Sequence, residues 1–180
     1  SWHDQQISGR RASVERLQRI HVDSKTGETR RPDYLRLNPL AQIPTLILPD
    51  GTVMTESAAM LLHLTEAFPQ TGLAPAPGSP ERPTFLRWLM FLAAAMYPAV
   101  LRDAYPARST TDATGAVAVR KQARADKARL WAIYAEALDG RSWMVGERMS
   151  ALDIYAAMLA GWWAELDSLP PIAALVDRVR

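Results

Sequence analysis

Leu37-Asn-Pro-Leu-Ala-Gln-Ile-Pro-Thr-Leu-Ile-Leu-Pro-Asp-Gly-Thr-Val-Met-Thr-Glu-Ser-Ala-Ala-Met60 is the stretch that decides the fold. It reads as a loop, a strand from Pro44 to Leu48, a tight turn, a return strand from Val53, and a helix from Glu56 to Ala67. Asp50-Gly51 supplies the positive φ that a hairpin turn demands. A proline at the mouth of a strand sits at an edge or follows a cis peptide. A cis Ile43–Pro44 bond would leave the Ile43 backbone free to pair with an extended ligand; a trans bond would make Pro44 an ordinary strand-entry proline. Thr55-Glu56-Ser57 stands at the helix N-terminus, where free amides and the dipole favour an anion. Ser57 adds a hydroxyl donor and Glu56 a partner for an amine, which together suit one end of an α-amino acid. The same residues equally fit a plain helix cap, with Thr55 capping and Glu56 as a dipole-stabilising acid.

Working outward, Ile20 and Val22 alternate within Leu17–Val22 and predict a strand, and Pro32 to Leu37 predicts a short helix. Leu73-Ala-Pro-Ala-Pro-Gly-Ser-Pro80 reads as a linker, because Pro fixes φ and Gly and Ser resist burial. Before it strands and helices mix; after it only helical periodicity is present. A long helix is predicted over Thr84 to Tyr105, apolar nearly all round from Trp88 to Tyr97 and kinked or interrupted by Pro98. A second spans Ala116 to Leu138, with a buried stripe of Leu130, Ile133, Tyr134 and Leu138. Its basic residues Arg120, Lys121, Arg124, Lys127 and Arg129 read as a solvated face. Ser150-Ala-Leu-Asp153 opens another helix with a capping-box pattern, and a last helix begins near Pro171.

The 180 residues suit one large domain or two small ones, long enough to bury about 70% of the unfolded surface. There is no cysteine, which excludes disulfides, thiolate metal sites and a cysteine nucleophile, and fits a reducing compartment. His3, His21 and His63 form no metal-binding pattern. The net charge of +2 gives no nucleic-acid signature. Trp88 to Tyr97, the longest uncharged apolar run, is about half of a bilayer crossing.

Three blocks, in order, resemble the glutathione transferases. Val22-Asp-Ser-Lys-Thr-Gly-Glu28 through Pro32-Asp-Tyr-Leu-Arg-Leu-Asn-Pro39 is similar to that family's second strand and following helix. Gln42-Ile43-Pro44 through Glu56-Ser57 is similar to its glutathione-binding core. Ser150-Ala-Leu-Asp153 resembles the capping box of its second domain. The resemblance covers residues 20 to 180. It implies an α/β plus all-α fold, with a thioredoxin-like N-terminal domain over 1–76 and a helical bundle over 77–180. The chain departs from the family at its start, where the first strand, the loop with the catalytic Tyr, Ser or Cys, and the first helix are not recognisable. The expectation is an N-terminal domain incomplete at its start in this sequence.

By that resemblance Gln42, Ile43 and Pro44 hold the backbone of glutathione, with Ile43–Pro44 cis. Glu56 and Ser57 hold its γ-glutamyl end, and Arg30 reaches the glycyl carboxylate. Ser8, before Gly9-Arg10-Arg11, is the candidate thiol-activating residue, although an ordinary turn serine explains it as well. Trp88, Met96, Tyr97, Trp162 and Trp163 line the pocket for a hydrophobic electrophile, although core packing explains each of them as well. The implied protein is a cytoplasmic homodimer, with glutathione as substrate, no bound cofactor, no metal, and no nucleic-acid or membrane partner. One alternative is a non-catalytic interaction or regulatory protein of the same architecture. Another is an isomerase or dehalogenase that uses glutathione as cofactor.

Overall fold

Prolines and glycines set the element boundaries in the first part of the chain. The computed structural model describes residues 18–112, 114–163, 165 and 168–180. Two compact units emerge, the first ending at Met60 and the second running from Leu61 to Arg180. In the first unit, Gly27 (φ 86°) leads into a 3₁₀ turn at Glu28–Arg30, and α1 follows at Pro32–Leu37. Pro32 suits the head of α1, where its missing N–H costs nothing. Asp33 in the first turn and Arg36 in the last complement the helix dipole. The helix stops because Pro39 pushes Asn38 out of the α region, to φ −137° and ψ 95°.

Strands β1 (Leu46–Ile47) and β2 (Val53–Met54) form an antiparallel pair, with Leu46 opposite Met54 and Ile47 opposite Val53. The turn between them has Gly51 at φ 86° and its N–H on the Leu48 carbonyl at 2.9 Å. β1 is shorter than the Pro44–Leu48 expectation, because a proline at either end removes a ladder donor. Ile43–Pro44 is cis. The expected strand at Leu17–Val22 is not formed over the described residues 18–22. An extended segment becomes a strand only with a ladder partner, and these residues have none among the described residues.

Helix α2 (Ser57–Ala67) ends before Phe68-Pro69. The Pro-rich stretch after it is tied down. Leu73 accepts from the Ala151 N–H at 2.7 Å, and Pro75 accepts from Arg82 at 2.9 Å. The expected single helix over Thr84–Tyr105 is three segments: α3 (Arg82–Phe91), a π-helical turn (Leu92–Met96) and α4 (Tyr97–Ala104). In the wide turn the Tyr97 N–H donates to Leu92, five residues back. Pro98, with no N–H and a ring that clashes one turn back, follows directly. This run of 23 residues is long and apolar enough to cross a membrane by length and composition, a property the shorter uncharged stretch did not reveal. Its apolar side is spent internally: Phe85, Leu89, Leu92, Met96 and Ala99 are fully buried.

α5 (Gly115–Leu138), α6 (Ala151–Ala160) and α7 (Pro170–Val179) complete the unit. α4 packs on α5, α3 on α6, and α7 on both α5 and α6. At the centre, Trp131 stacks on Trp163 at 5.9 Å, and Tyr134 meets Trp88 and Trp131 edge-on at 5.2 and 5.8 Å. Two expectations for α5 need correction. Ile133 lies on the exposed side, and the buried stripe is Leu130, Trp131, Tyr134, Ala135 and Leu138. Lys127 is no part of a solvated face: it is 6% exposed and its ammonium meets Asp103 of α4, which also takes Arg124 at 3.0 Å. The capping box of α6 is present. One oxygen of the fully buried Asp153 accepts from the Ser150 N–H at 2.8 Å and the Ser150 hydroxyl at 2.7 Å. The other accepts from the Met144 N–H at 2.9 Å.

Candidate functional site

The antiparallel register sends residues before β1 and residues after β2 to the same end of the hairpin, so 42–45 and 55–57 share that end. The first of these segments is held from α1. Tyr34 and Asn38 lie four residues apart and therefore on one face of the helix end. The Tyr34 hydroxyl reaches the Gln42 carbonyl at 2.6 Å and the Thr45 hydroxyl at 2.9 Å. Asn38 Nδ2 donates to the same carbonyl at 2.9 Å and to Thr45 Oγ1 at 3.3 Å. Asn38 Oδ1 accepts from the Leu40 N–H at 3.1 Å. Tyr34 and Asn38 are buried, whereas Gln42, Ile43 and Pro44 are exposed. Neither the Ile43 N–H nor its carbonyl has a hydrogen-bond partner among the described residues.

The second segment is strained. Glu56 has φ 65°, a left-handed conformation that costs a non-glycine residue about 1–3 kcal/mol and concentrates at functional sites. Its carbonyl accepts from the Met60 N–H at 3.0 Å, so Glu56 stands at the N-cap of α2. Its carboxylate is exposed and unpartnered among the described residues, as is the half-buried Ser57 hydroxyl. Thr55 makes no capping bond among the described residues. The first-turn amides of α2 add a positive dipole end beside Ser57. Chemically this end of the hairpin offers a backbone donor and acceptor pair, a carboxylate for an amine, and a hydroxyl with a helix N-terminus for a carboxylate.

The remaining sequence candidates fall elsewhere. Arg30 is exposed at the end of its 3₁₀ turn, with no ion-pair partner among the described residues. Ser8 lies outside the described residues. Of the five aromatic-pocket candidates, Trp88 (3% exposed), Met96 (0%) and Trp163 (9%) are core residues. Only Tyr97 and Trp162 keep open ring surface, with their centroids 6.3 Å apart. A shallow cleft of about 100 Å³ is lined by His21, Val22, Glu28, Arg31, Asp33 and Tyr34, too small to enclose a peptide. Sequence reasoning missed Tyr34 and Asn38. The signal was available in their spacing of four, immediately before the Pro39 loop.

Comparison with known proteins bears on all of this. A family model described as "Glutathione S-transferase, N-terminal domain" matches residues 15–67. An Escherichia coli K12 protein described as an uncharacterized GST-like protein, YncG, is 32% identical over 148 residues, which is 79% of this chain and 70% of its own length. Glutathione S-transferase GST-4.5 of Xanthomonas campestris pv. campestris is 29% identical over 175 residues, 88% of this chain and 78% of its own. Among solved structures, a sphingomonad glutathione S-transferase complexed with glutathione matches with a TM-score of 0.72 and 28% identity, over 88% of this chain and 78% of that one. The fold is thus a thioredoxin-like N-terminal domain followed by an all-helical one, and the chain belongs to the glutathione transferase family.

Proposed function

We propose that this protein binds glutathione at the open end of the hairpin and joins its sulfur to a small hydrophobic electrophile. In this reading the Ile43 backbone pairs with the cysteinyl residue, flanked by Gln42 and Pro44. Ser57 and the head of α2 take the γ-glutamyl carboxylate, Glu56 takes its amine, and Arg30 takes the glycyl carboxylate. Tyr97 and Trp162 present the apolar surface for the electrophile. Ser8 is the candidate that would hold the thiolate by a hydrogen bond. The thiol loses its proton, its sulfur lone pair forms the new carbon–sulfur bond, and the leaving group departs with the electron pair. A family domain boundary at 76/77, a homodimer and a cytoplasmic location complete the proposal.

One observation carries the reading. The Ile43 backbone, the Glu56 carboxylate and the Ser57 hydroxyl are all unpartnered within the described residues, at one end of one hairpin. The relatives support it through their own names and through the bound glutathione of one of them. Calorimetric titration with glutathione tests it. Ser57→Ala deletes a hydrogen bond to a charged group, and affinity should fall about 10- to 150-fold while the thermal melt is kept. Unchanged affinity in a folded Ser57→Ala protein would make Ser57 a mere helix residue and displace the site. In a conjugation assay Trp162→Ala should raise the KM for the electrophile more than that for glutathione. Tight glutathione binding with no conjugation would favour the non-catalytic alternative.

A further inference from the structure

We infer that Tyr34 and Asn38 are positioning residues, which set the direction of the Ile43 N–H and thereby make it a ready donor for a peptide-like ligand. The inference rests on the glutathione reading above for the identity of that ligand. A peptide unit is planar, and in the trans form its C=O and N–H point in opposite directions. The Gln42 carbonyl and the Ile43 N–H share one such unit. A carbonyl oxygen has two acceptor positions, and here both are filled, by the Tyr34 hydroxyl at 2.6 Å and Asn38 Nδ2 at 2.9 Å. Both donors come from buried side chains on the protein side of the loop. With the carbonyl pinned inward, the plane cannot rotate, and the Ile43 N–H is aimed the opposite way, into solvent.

The donors close on themselves. Asn38 donates to Thr45 Oγ1, the Thr45 hydroxyl donates to Tyr34, Tyr34 donates to the Gln42 carbonyl, and Asn38 donates to that carbonyl as well. Each hydrogen has one acceptor, and members of such a ring polarise one another. The ring also straddles Ile43 and Pro44, with Gln42 held on one side and Thr45 on the other by a single phenol oxygen. Order imposed here before the ligand arrives is entropy the ligand need not lose on binding. Tyr34 and Asn38 therefore act on affinity without touching the ligand.

Tyr34→Phe removes only the hydroxyl. Glutathione affinity, measured by calorimetry, should fall about three- to tenfold, the worth of one neutral hydrogen bond. The melting temperature should drop by no more than about 4 °C. The readout that a general loss of stability would not move is the backbone order parameter. At Gln42, Ile43 and Thr45 it should fall from rigid values near about 0.85 toward those of flexible chain, with α5 unchanged. Thr45→Val should cost affinity alone but add nothing in the Tyr34→Phe background, because Thr45 works through Tyr34. The inference is overturned if the loop stays rigid in Tyr34→Phe, or if the two substitutions add. A parent protein that binds no glutathione, with a loop that still loosens in Tyr34→Phe, overturns the glutathione reading and the ligand role inferred from it. A loop rigid in both overturns the positioning role on its own, whatever the parent binds.

Discussion

Glu56 holds a backbone conformation that glycine would adopt without strain, and Tyr134 holds a buried hydroxyl with no partner among the described residues. Both are residue-scale costs, but of different kinds. At Glu56 the strain coincides with a carboxylate that has no partner among the described residues, so removing the side chain should separate the two. Glu56→Gly is expected to leave stability unchanged or raise it by up to about 1 kcal/mol, while glutathione binding weakens. Urea unfolding and calorimetry on the same sample would show it, and a loss of both together would mean that Glu56 is structural. Tyr134 Oη is fully buried with no hydrogen-bond partner among the described residues, and burial, aided by the nearby Asp153 charge, pushes its pKa well up. Tyr134→Phe keeps both edge-on ring contacts and removes an unpaired dipole. It should stabilise by about 1 kcal/mol in urea unfolding, and a destabilised variant would reveal a partner for the hydroxyl. Ile43, Glu56 and Ser57 were legible in the sequence because turn and helix-start chemistry is local. Tyr134 was legible only as part of an apolar stripe, since its lack of a partner depends on what α6 brings beside it.

At the scale of elements, α4 and α5 are joined by a charge cluster that sequence periodicity misread. Arg120, Arg124 and Lys127 share a face of α5, and a row of cations is ordinarily left to water. Here Arg120 donates to the Asp103 carbonyl at 3.1 Å, and Arg124 and Lys127 meet the Asp103 carboxylate. Half-burial alone would raise the Asp103 pKa; hydrogen bonds from Lys127 and Arg124, with their charges, outweigh it and hold the pKa below its usual value. A depressed pKa contributes stability that is present above the unfolded value near about 4, and that is lost as pH falls through the folded value. Asp103→Asn strands the buried Lys127 and should cost about 2–3 kcal/mol at pH 7, with the difference from the parent shrinking below about pH 4. Denaturant titrations across pH would find it, and a constant difference at all pH values would count against the pair. The start of α6 went the other way. Its capping box was readable from Ser150 and Asp153 alone, and Ser150→Ala should cost about 1 kcal/mol with glutathione affinity kept.

For the whole molecule, the division of buried surface matters most. Among the described residues the buried apolar side chains up to Met60 are Tyr34, Ala58 and Met60, whereas Phe85 onward supplies a continuous helical core. Helical periodicity foretold that core because a packed stripe is a property of each helix. The first unit was recognisable by its motifs instead, since two two-residue strands carry almost no periodic signal. Fewer buried contacts mean easier local opening. Amide exchange over residues 28–54 should therefore proceed at a lower opening free energy than in α5 and α6. Glutathione at 100 times its Kd should raise that value by about 2.7 kcal/mol in the first unit. Equal protection throughout the chain, or a gain confined to the helices, would contradict both the weak-unit picture and the placement of the ligand.

The wide turn at Leu92–Met96 constrains the order in which mutations can accumulate. Pro98 needs the displaced carbonyls that the wide turn provides, and the wide turn holds one residue more than a regular helix would use there. Length and proline are thus epistatic. Deleting the exposed Ala94 alone closes the turn onto the proline ring, and so it is accessible to a lineage only after Pro98 has been replaced by a residue such as alanine. A pairwise library of these two changes, scored for soluble expression, would recover the double variant and the lone Pro98→Ala, but not the lone deletion.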